Sequence, residues 1–205
     1  MSVVKGSGNP GEPRHISEVI QELTHRPPYS LDMLAEQREF TSPKTGHKYT
    51  LRPYTPEDKA GLVGFVEGLS LKSFIGRWVT PVSPANRWEV VEDLLGPAQN
   101  QQILLAIDGK RNIVGVADFT ITPKEAEFER PGYPEFAFAV ADANQKEGIG
   151  LELALYAKDV AKKAGAKGFS LYLEKDETAG FFRQVEHRLG RFENTGNKIY
   201  RIHFE

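Results

Sequence analysis

The chain has 205 residues, 40% hydrophobic and 26% charged, enough for a real core and unlike a disordered or fibrous polymer. At roughly 100 to 200 residues per domain, it holds one full domain plus a small appendage. Lys plus Arg number 26 against 28 Asp plus Glu, a net charge of -2, so the broad basic field of a nucleic-acid binder is missing.

Residues 1–14 are rich in Gly, Ser and Pro and read as a flexible lead. From His15 to Arg38 two short helical stripes, one carrying Ile16, Val19, Ile20 and Leu23 and the next Leu31, Met33 and Leu34, flank the breaker Arg26-Pro27-Pro28. The turn cluster from Ser42 to Gly46 marks a hairpin within residues 39–48. Residues 1–48 are thus expected to form a lead, a helical appendage and a hairpin, with the main domain spanning 49–205.

Tyr49 to Pro53 reads as a strand. Thr55 then serves as N-cap, with Pro56 at the first helical position and Glu57 and Asp58 facing the positive helix end. That helix runs to about Gly68, and further helical pieces start near Ser70 and near Ser83-Pro84. Trp78 and Trp88 lie in this stretch, where each is a candidate for a cleft wall or for the core. Gln102–Ile107 and Ile113–Ile121 are strand-forming runs joined at Asp108-Gly109. An acidic connection carrying Glu125, Glu127 and Glu129 follows, then a strand from Glu135 to Val140. It sets Phe136, Phe138 and Val140 on one face and Glu135, Ala137 and Ala139 on the other. Ile149, Leu153, Tyr156, Val160 and Ala164 form a helical stripe ended by Gly165. A strand at 169–173, a helix at 178–189 and two strands, 191–193 and 198–204, close the chain.

With no cysteine, disulfides, thiolate metal sites and Cys nucleophiles are ruled out. The five His (15, 25, 47, 187 and 203) show no close metal-ligand spacing, so no metal is expected. No apolar run approaches the 18 or so residues of a membrane span, and the N-terminus is polar. The expectation is a cytoplasmic protein with neither membrane nor nucleic-acid partner, its oligomeric state open.

The most informative segment is the junction from Phe136 to Gly150, a strand that passes through a Gly-bearing loop into a long helix. Such a junction aims unpaired backbone N–H groups and the positive helix end at one point, which binds phosphate without a cationic side chain. Gly148 and Gly150 are expected to let the backbone approach that ligand closely.

Gln145-Lys-Glu-Gly148-Ile-Gly150 resembles the Gln/Arg-x-x-Gly-x-Gly/Ala signature of the GNAT superfamily of acyl-CoA N-acyltransferases, in the same strand-loop-helix setting. Leu51-Arg-Pro-Tyr-Thr-Pro-Glu-Asp58 resembles that family's first strand and helix, about 90 residues upstream as expected. Within the superfamily these strings, Gly68-Leu-Ser70 and Glu135-Phe-Ala137 look like the GNAT domain of bacterial protein-lysine acetyltransferases. The resemblance implies an α+β fold of about 6–7 strands in a mixed, mostly antiparallel sheet, splayed between its fourth and fifth strands and flanked by helices. It further implies acetyl-CoA as cosubstrate, held by Phe138, Ala139, Val140, Gln145, Lys146, Glu147, Gly148, Ile149 and Gly150.

Two departures stand out. Glu147 puts a negative charge inside the phosphate loop, which is unfavourable unless it points outward. Where the family often carries an Asn after the fifth strand and a Tyr general acid, this chain has an acidic segment from Glu174 and, at the Tyr position, Glu186.

A lysine-like amine with a pKa near 10.4 is neutral only about one part in 2,500 at pH 7, a cost of about 4.6 kcal/mol. A carboxylate that takes the proton is therefore expected, and Glu135 is the candidate. Backbone N–H groups near Ala139 to Ala141 are expected to polarise the thioester carbonyl. The acceptor is expected to be a protein lysine; a small amine, or a non-catalytic acyl-CoA-binding role, are the alternatives.

Overall fold

The computed structural model describes residues 36–78, 82–96, 101–120, 132–174 and 176–205. The expected lead, the helical stripes between 15 and 35, and the acidic run at 125–129 lie outside these. Eight strands are described: β1 (Arg38–Thr41), β2 (Lys48–Pro53), β3 (Gln101–Asp108), β4 (Ile113–Thr120), β5 (Phe136–Val140), β6 (Gly168–Tyr172), β7 (Arg191–Gly196) and β8 (Ile199–His203). Five helices accompany them: α1 (Lys59–Gly68), α2 (Leu71–Trp78), α3 (Arg87–Leu94), α4 (Ile149–Lys163) and α5 (Asp176–Leu189). Strands β1 to β5 form an antiparallel sheet in chain order, and β6-β8-β7 form a second antiparallel sheet. The hairpin strand β1 brings the strand count to eight.

Each element follows from local chemistry. Arg52 reaches Asp58 with both guanidinium nitrogens, at 2.7 and 2.6 Å, and Thr55 N–H donates to the same carboxylate at 2.8 Å. The charged fork and the adjacent cap together fix the turn from β2 into α1. Burial on both faces explains the unbroken apolar run of β3. Leu104 and Ala106 join the core under α4 and α5, whereas Ile103, Leu105 and Ile107 join the core under α1, α2 and α3. Gly115 lets α4 approach β4, since a Cβ there would come within 2.9 Å of Leu153. Buried Arg87 donates to the carbonyls of Val66, Glu67 and Leu69, at 3.3, 3.2 and 2.5 Å, and so caps the C-terminal end of α1.

The two sheets meet where β5 runs alongside β6. Ser170 N–H donates to Pro134 C=O at 2.9 Å, and Glu135 and Ser170 form a single parallel bridge. Beyond it the sheets share no ladder, because β6 takes its further partners from β8. The result is a V that opens toward the C-terminal ends of β5 and β6.

Candidate functional site

A cavity of about 500 Å³ fills this V. Its walls include Phe136 to Val140 of β5, Leu171 and Tyr172 of β6, Leu173, Phe181 and Phe182 of α5, and the loop residues Gln145, Lys146, Gly148, Ile149 and Gly150. Eight of the ten site residues expected from sequence line this one groove; Glu147 faces away from it, and Glu135 lies outside it. The groove is mostly apolar along β5 and ends at the N-terminus of α4.

That end presents backbone N–H groups that no helical acceptor takes up. Gly148 takes φ +91° as N-cap of the 15-residue α4, and Lys146 takes φ +66°. Glu152 N–H, bonded to Gly148 C=O at 3.1 Å, is the first to find a helical acceptor, so the preceding N–H groups look out of the helix. The helix ends in Lys162 and Lys163, the signs its dipole favours.

The fold itself supplies a reason for each of the two glycines. At Gly148 the positive φ demands glycine, and an added Cβ would meet Phe40 of the hairpin at 3.2 Å. At Gly150 an added Cβ would lie 2.8 Å from Phe138 Cε2. Gly150 therefore lets α4 sit against a ring that lines the groove.

Glu147 turns away from that end of the groove. It is 8% exposed, and its Oε2 accepts from Thr45 Oγ1 at 2.6 Å and Tyr49 OH at 2.7 Å, with His47 Nδ1 at 3.3 Å. The Thr45 and Tyr49 hydroxyls hold its carboxyl below the usual carboxylate range, against the effect of burial. The residue fastens the loop to the β1–β2 hairpin.

A second fastening joins the loop to α2. Asp142 accepts from Ser70 N–H at 2.8 Å and from the Ser70 and Ser73 hydroxyls at 2.7 Å each, capping α2 from outside. Burial alone pushes the Asp142 carboxyl up, but these donors outweigh it and hold it low. Gln145 Nε2 donates to Ser73 Oγ at 3.0 Å and to Val140 C=O at 3.2 Å.

The register narrows the backbone donors expected near Ala139 to Ala141. Ala141 N–H is taken by Val114 C=O at 2.9 Å, which puts Ala137, Ala139 and Ala141 on the hydrogen-bonding side toward β4. Antiparallel alternation then turns the N–H groups of Phe138 and Val140 toward the groove.

Glu135 lines a second cavity, of about 480 Å³, on the side of the sheet that carries α2 and α3. That cavity is lined by Trp78, Val82, Val90 and Leu94, by Asp93, Asp118 and Glu135, and by Arg77 and Ala137. Arg77 and Ala137 line both cavities, so the two spaces meet at the middle of β5. Strand alternation puts Glu135, Ala137 and Ala139 on this face, with Glu135 roughly 7 Å along the strand from Ala137. Trp78 walls the cavity, whereas Trp88 is 46% exposed and serves neither cleft nor core. Glu186 is committed elsewhere, its carboxylate accepting from Phe192 N–H at 2.9 Å. Sequence reasoning missed Ser73, Arg77, Asp118 and Tyr172, because only the folded register brings α2, β4 and β6 to this junction. Among the described residues no three His, Asp or Glu side chains gather as a metal site, and no helix is long and apolar enough to cross a membrane.

No protein-family model and no curated protein matches the chain. Among solved structures, the chain is similar to the GNAT domain of S. lividans PAT, at 21% identity and TM-score 0.66 over 82% of this chain and 96% of that one. A GNAT family acetyltransferase from Brucella melitensis in complex with acetyl-CoA is similar at 22% identity and TM-score 0.54, over 78% of this chain and 90% of that one. The paia N-acetyltransferase from Thermoplasma acidophilum in complex with coenzyme A follows at 16% identity and TM-score 0.54, over 76% and 99%. The chain has the α+β fold of the GNAT acetyltransferases, with antiparallel sheets of five and three strands between helices.

Proposed function

We propose that the chain is an N-acetyltransferase that moves acetyl from acetyl-CoA to a primary amine, with a protein lysine as the first acceptor class. One observation carries this reading: two adjoining cavities share Ala137 and Arg77 in their walls, one ending at a helix N-terminus and the other lined by carboxylates. The donor half fits the groove. The N–H groups at the start of α4 receive the pyrophosphate, the splayed edge of β5 receives the pantetheine, and the N–H groups of Phe138 and Val140 polarise the thioester carbonyl. The acceptor half fits the second cavity, where apolar walls take a methylene stem and Asp93, Asp118 and Glu135 favour a cationic head.

The bound thioester supplies an activated acyl carbon. The acceptor ammonium gives one proton to Glu135, the freed amine nitrogen forms a bond to that carbon, the C–S bond breaks, and the second nitrogen proton goes to the leaving sulfur as CoA thiol. The spacing of Glu135 from Ala137 fits transfer through one water. A non-catalytic acyl-CoA-binding role is the second reading, favoured by Glu186 being tied to Phe192 N–H where the family carries its general acid. Thiol release from acetyl-CoA against a panel of lysine peptides, polyamines and amino acids decides between them. Turnover with any amine supports transfer, and binding without turnover across the panel supports the second reading.

A further inference from the structure

The wall between the two cavities holds a buried ion pair, Arg77 with Asp118. Asp118 lies on β4 directly across from Ala137 of β5. It is 9% exposed, and its Oδ1 accepts from Arg77 Nη2. Among the described residues, its other oxygen has Gln101 Nε2, at 3.5 Å. Arg77, near the end of α2, lies with its guanidinium 5.0 Å from the Trp78 ring centroid, and its buried Nε has no hydrogen-bond partner among the described residues.

Removing two charges from water for a single pair costs about what their attraction returns, and apolar residues of the same volume serve a core as well or better. Stability therefore does not account for an incompletely satisfied pair at this place. A carboxylate accepts about four hydrogen bonds, so Asp118 has capacity left on the oxygen near Gln101. Its position relative to the reacting centre is also specific. It is the cross-strand neighbour of Ala137, and on the same face it lies diagonal to Glu135, roughly 7 to 8 Å away between backbone positions.

We propose, resting on the amine-transfer reading above, that Asp118 is the specificity-determining anchor for the acceptor's ammonium head, and that Arg77 occupies that place until the acceptor arrives. The guanidinium is a built-in cation in the slot, stacked on the Trp78 ring that also walls the acceptor cavity. An incoming ammonium exchanges with it, which sets the nitrogen beside Ala137, between the N–H groups of β5 and the Glu135 carboxylate. Neutral amines of the same shape gain nothing from this exchange, so the pair selects for charge.

Calorimetry on the full chain saturated with CoA reads the preference directly. Nα-acetyl-lysine methylamide is the cationic probe and Nα-acetyl-norleucine methylamide its neutral match. The lysine probe should be preferred by the parent, preferred roughly 10-fold more strongly by Arg77→Gln, and no longer preferred by Asp118→Asn or the double variant. CoA affinity within about 2-fold of the parent reports an intact fold. If Asp118→Asn loses CoA affinity, Arg77→Gln decides alone, a stronger preference supporting the exchange and a weaker one overturning it. Equal preference in all four proteins, or no binding of the lysine probe to parent and Arg77→Gln, also overturns it. Preference without acetyl transfer refutes the transfer reading and leaves the anchor standing. Transfer with a preference independent of Asp118 does the reverse.

Discussion

Glu147→Gln tests how the end of the groove at the start of α4 is held. In the parent, Glu147 Oε2 accepts two short hydroxyl bonds, 2.6 Å from Thr45 and 2.7 Å from Tyr49, in a nearly buried site. A bond to a charged group contributes roughly 1.5 to 3 kcal/mol and a neutral one roughly 0.5 to 1.5. Neutralising the acceptor therefore removes about 1 kcal/mol from each bond, and a loss of about 2 kcal/mol is expected. For a chain of this size that lowers the melting temperature by roughly 4 to 8 °C. The sign with pH follows from the depressed carboxyl. Its contribution is fully present above the unfolded value of about 4.3 and is lost as pH falls through the lower folded value. The gap between parent and variant should therefore be full near pH 7 and close below about pH 4. Because the same carboxylate ties the loop to the hairpin, acetyl-CoA affinity should fall as well. Thermal melts at both pH values, with calorimetric titration of acetyl-CoA at pH 7, check all three. A melting temperature within 1 °C of the parent at pH 7, with unchanged affinity, would refute the fastening role.

Acetyl-CoA at 100 times its dissociation constant should stabilise the parent by about 2.7 kcal/mol, seen as a rise in melting temperature. Gly150→Val, which drives a side chain into Phe138, should abolish that rise; an undiminished shift places the ligand elsewhere. Glu135→Gln should keep acetyl-CoA binding while turnover falls by roughly 100-fold to 10,000-fold at neutral pH. That loss should shrink toward pH 9.5, where more amine is already neutral, and identical pH profiles would retire Glu135 as base. Arg87→Met leaves three carbonyls at the end of α1 without their donor and should cost about 2 to 4 kcal/mol by denaturant unfolding. A cost below about 0.5 kcal/mol would mean that water replaces the guanidinium there.

Much of the scaffold was legible because its signals are local. Alternation marked β5 with both of its faces, the helical stripe marked α4, and Thr55-Pro56 marked the turn into α1. The site was legible only where backbone makes it, at the Gly148 N-cap and the splayed strand. Side chains that act through distant partners were not. Glu147 looks misplaced in its own loop, since its donors Thr45, His47 and Tyr49 lie about 100 residues upstream. Asp118 is hidden in the apolar run of β4, and its partner Arg77 lies on a helix whose docking no local pattern reveals. The parity of the backbone donors depends on the β4–β5 register, which leaves Val140 within the expected range Ala139 to Ala141, and Phe138 beside it, as the donors off the ladder. The need for glycine at position 150 is also set by Phe138, a ring twelve residues earlier whose place against α4 only the fold shows.

The central claim is that the two cavities meeting at Ala137 are the acyl and amine halves of one site. A crystal structure of the protein with acetyl-CoA tests it most directly. Pyrophosphate is expected on the N–H groups at the start of α4, pantetheine along the open edge of β5, and the thioester beside Phe138 and Val140 with its acyl carbon open to the Glu135 cavity. Acetyl-CoA bound outside the V, or bound within it with the thioester walled off from that cavity, would contradict it.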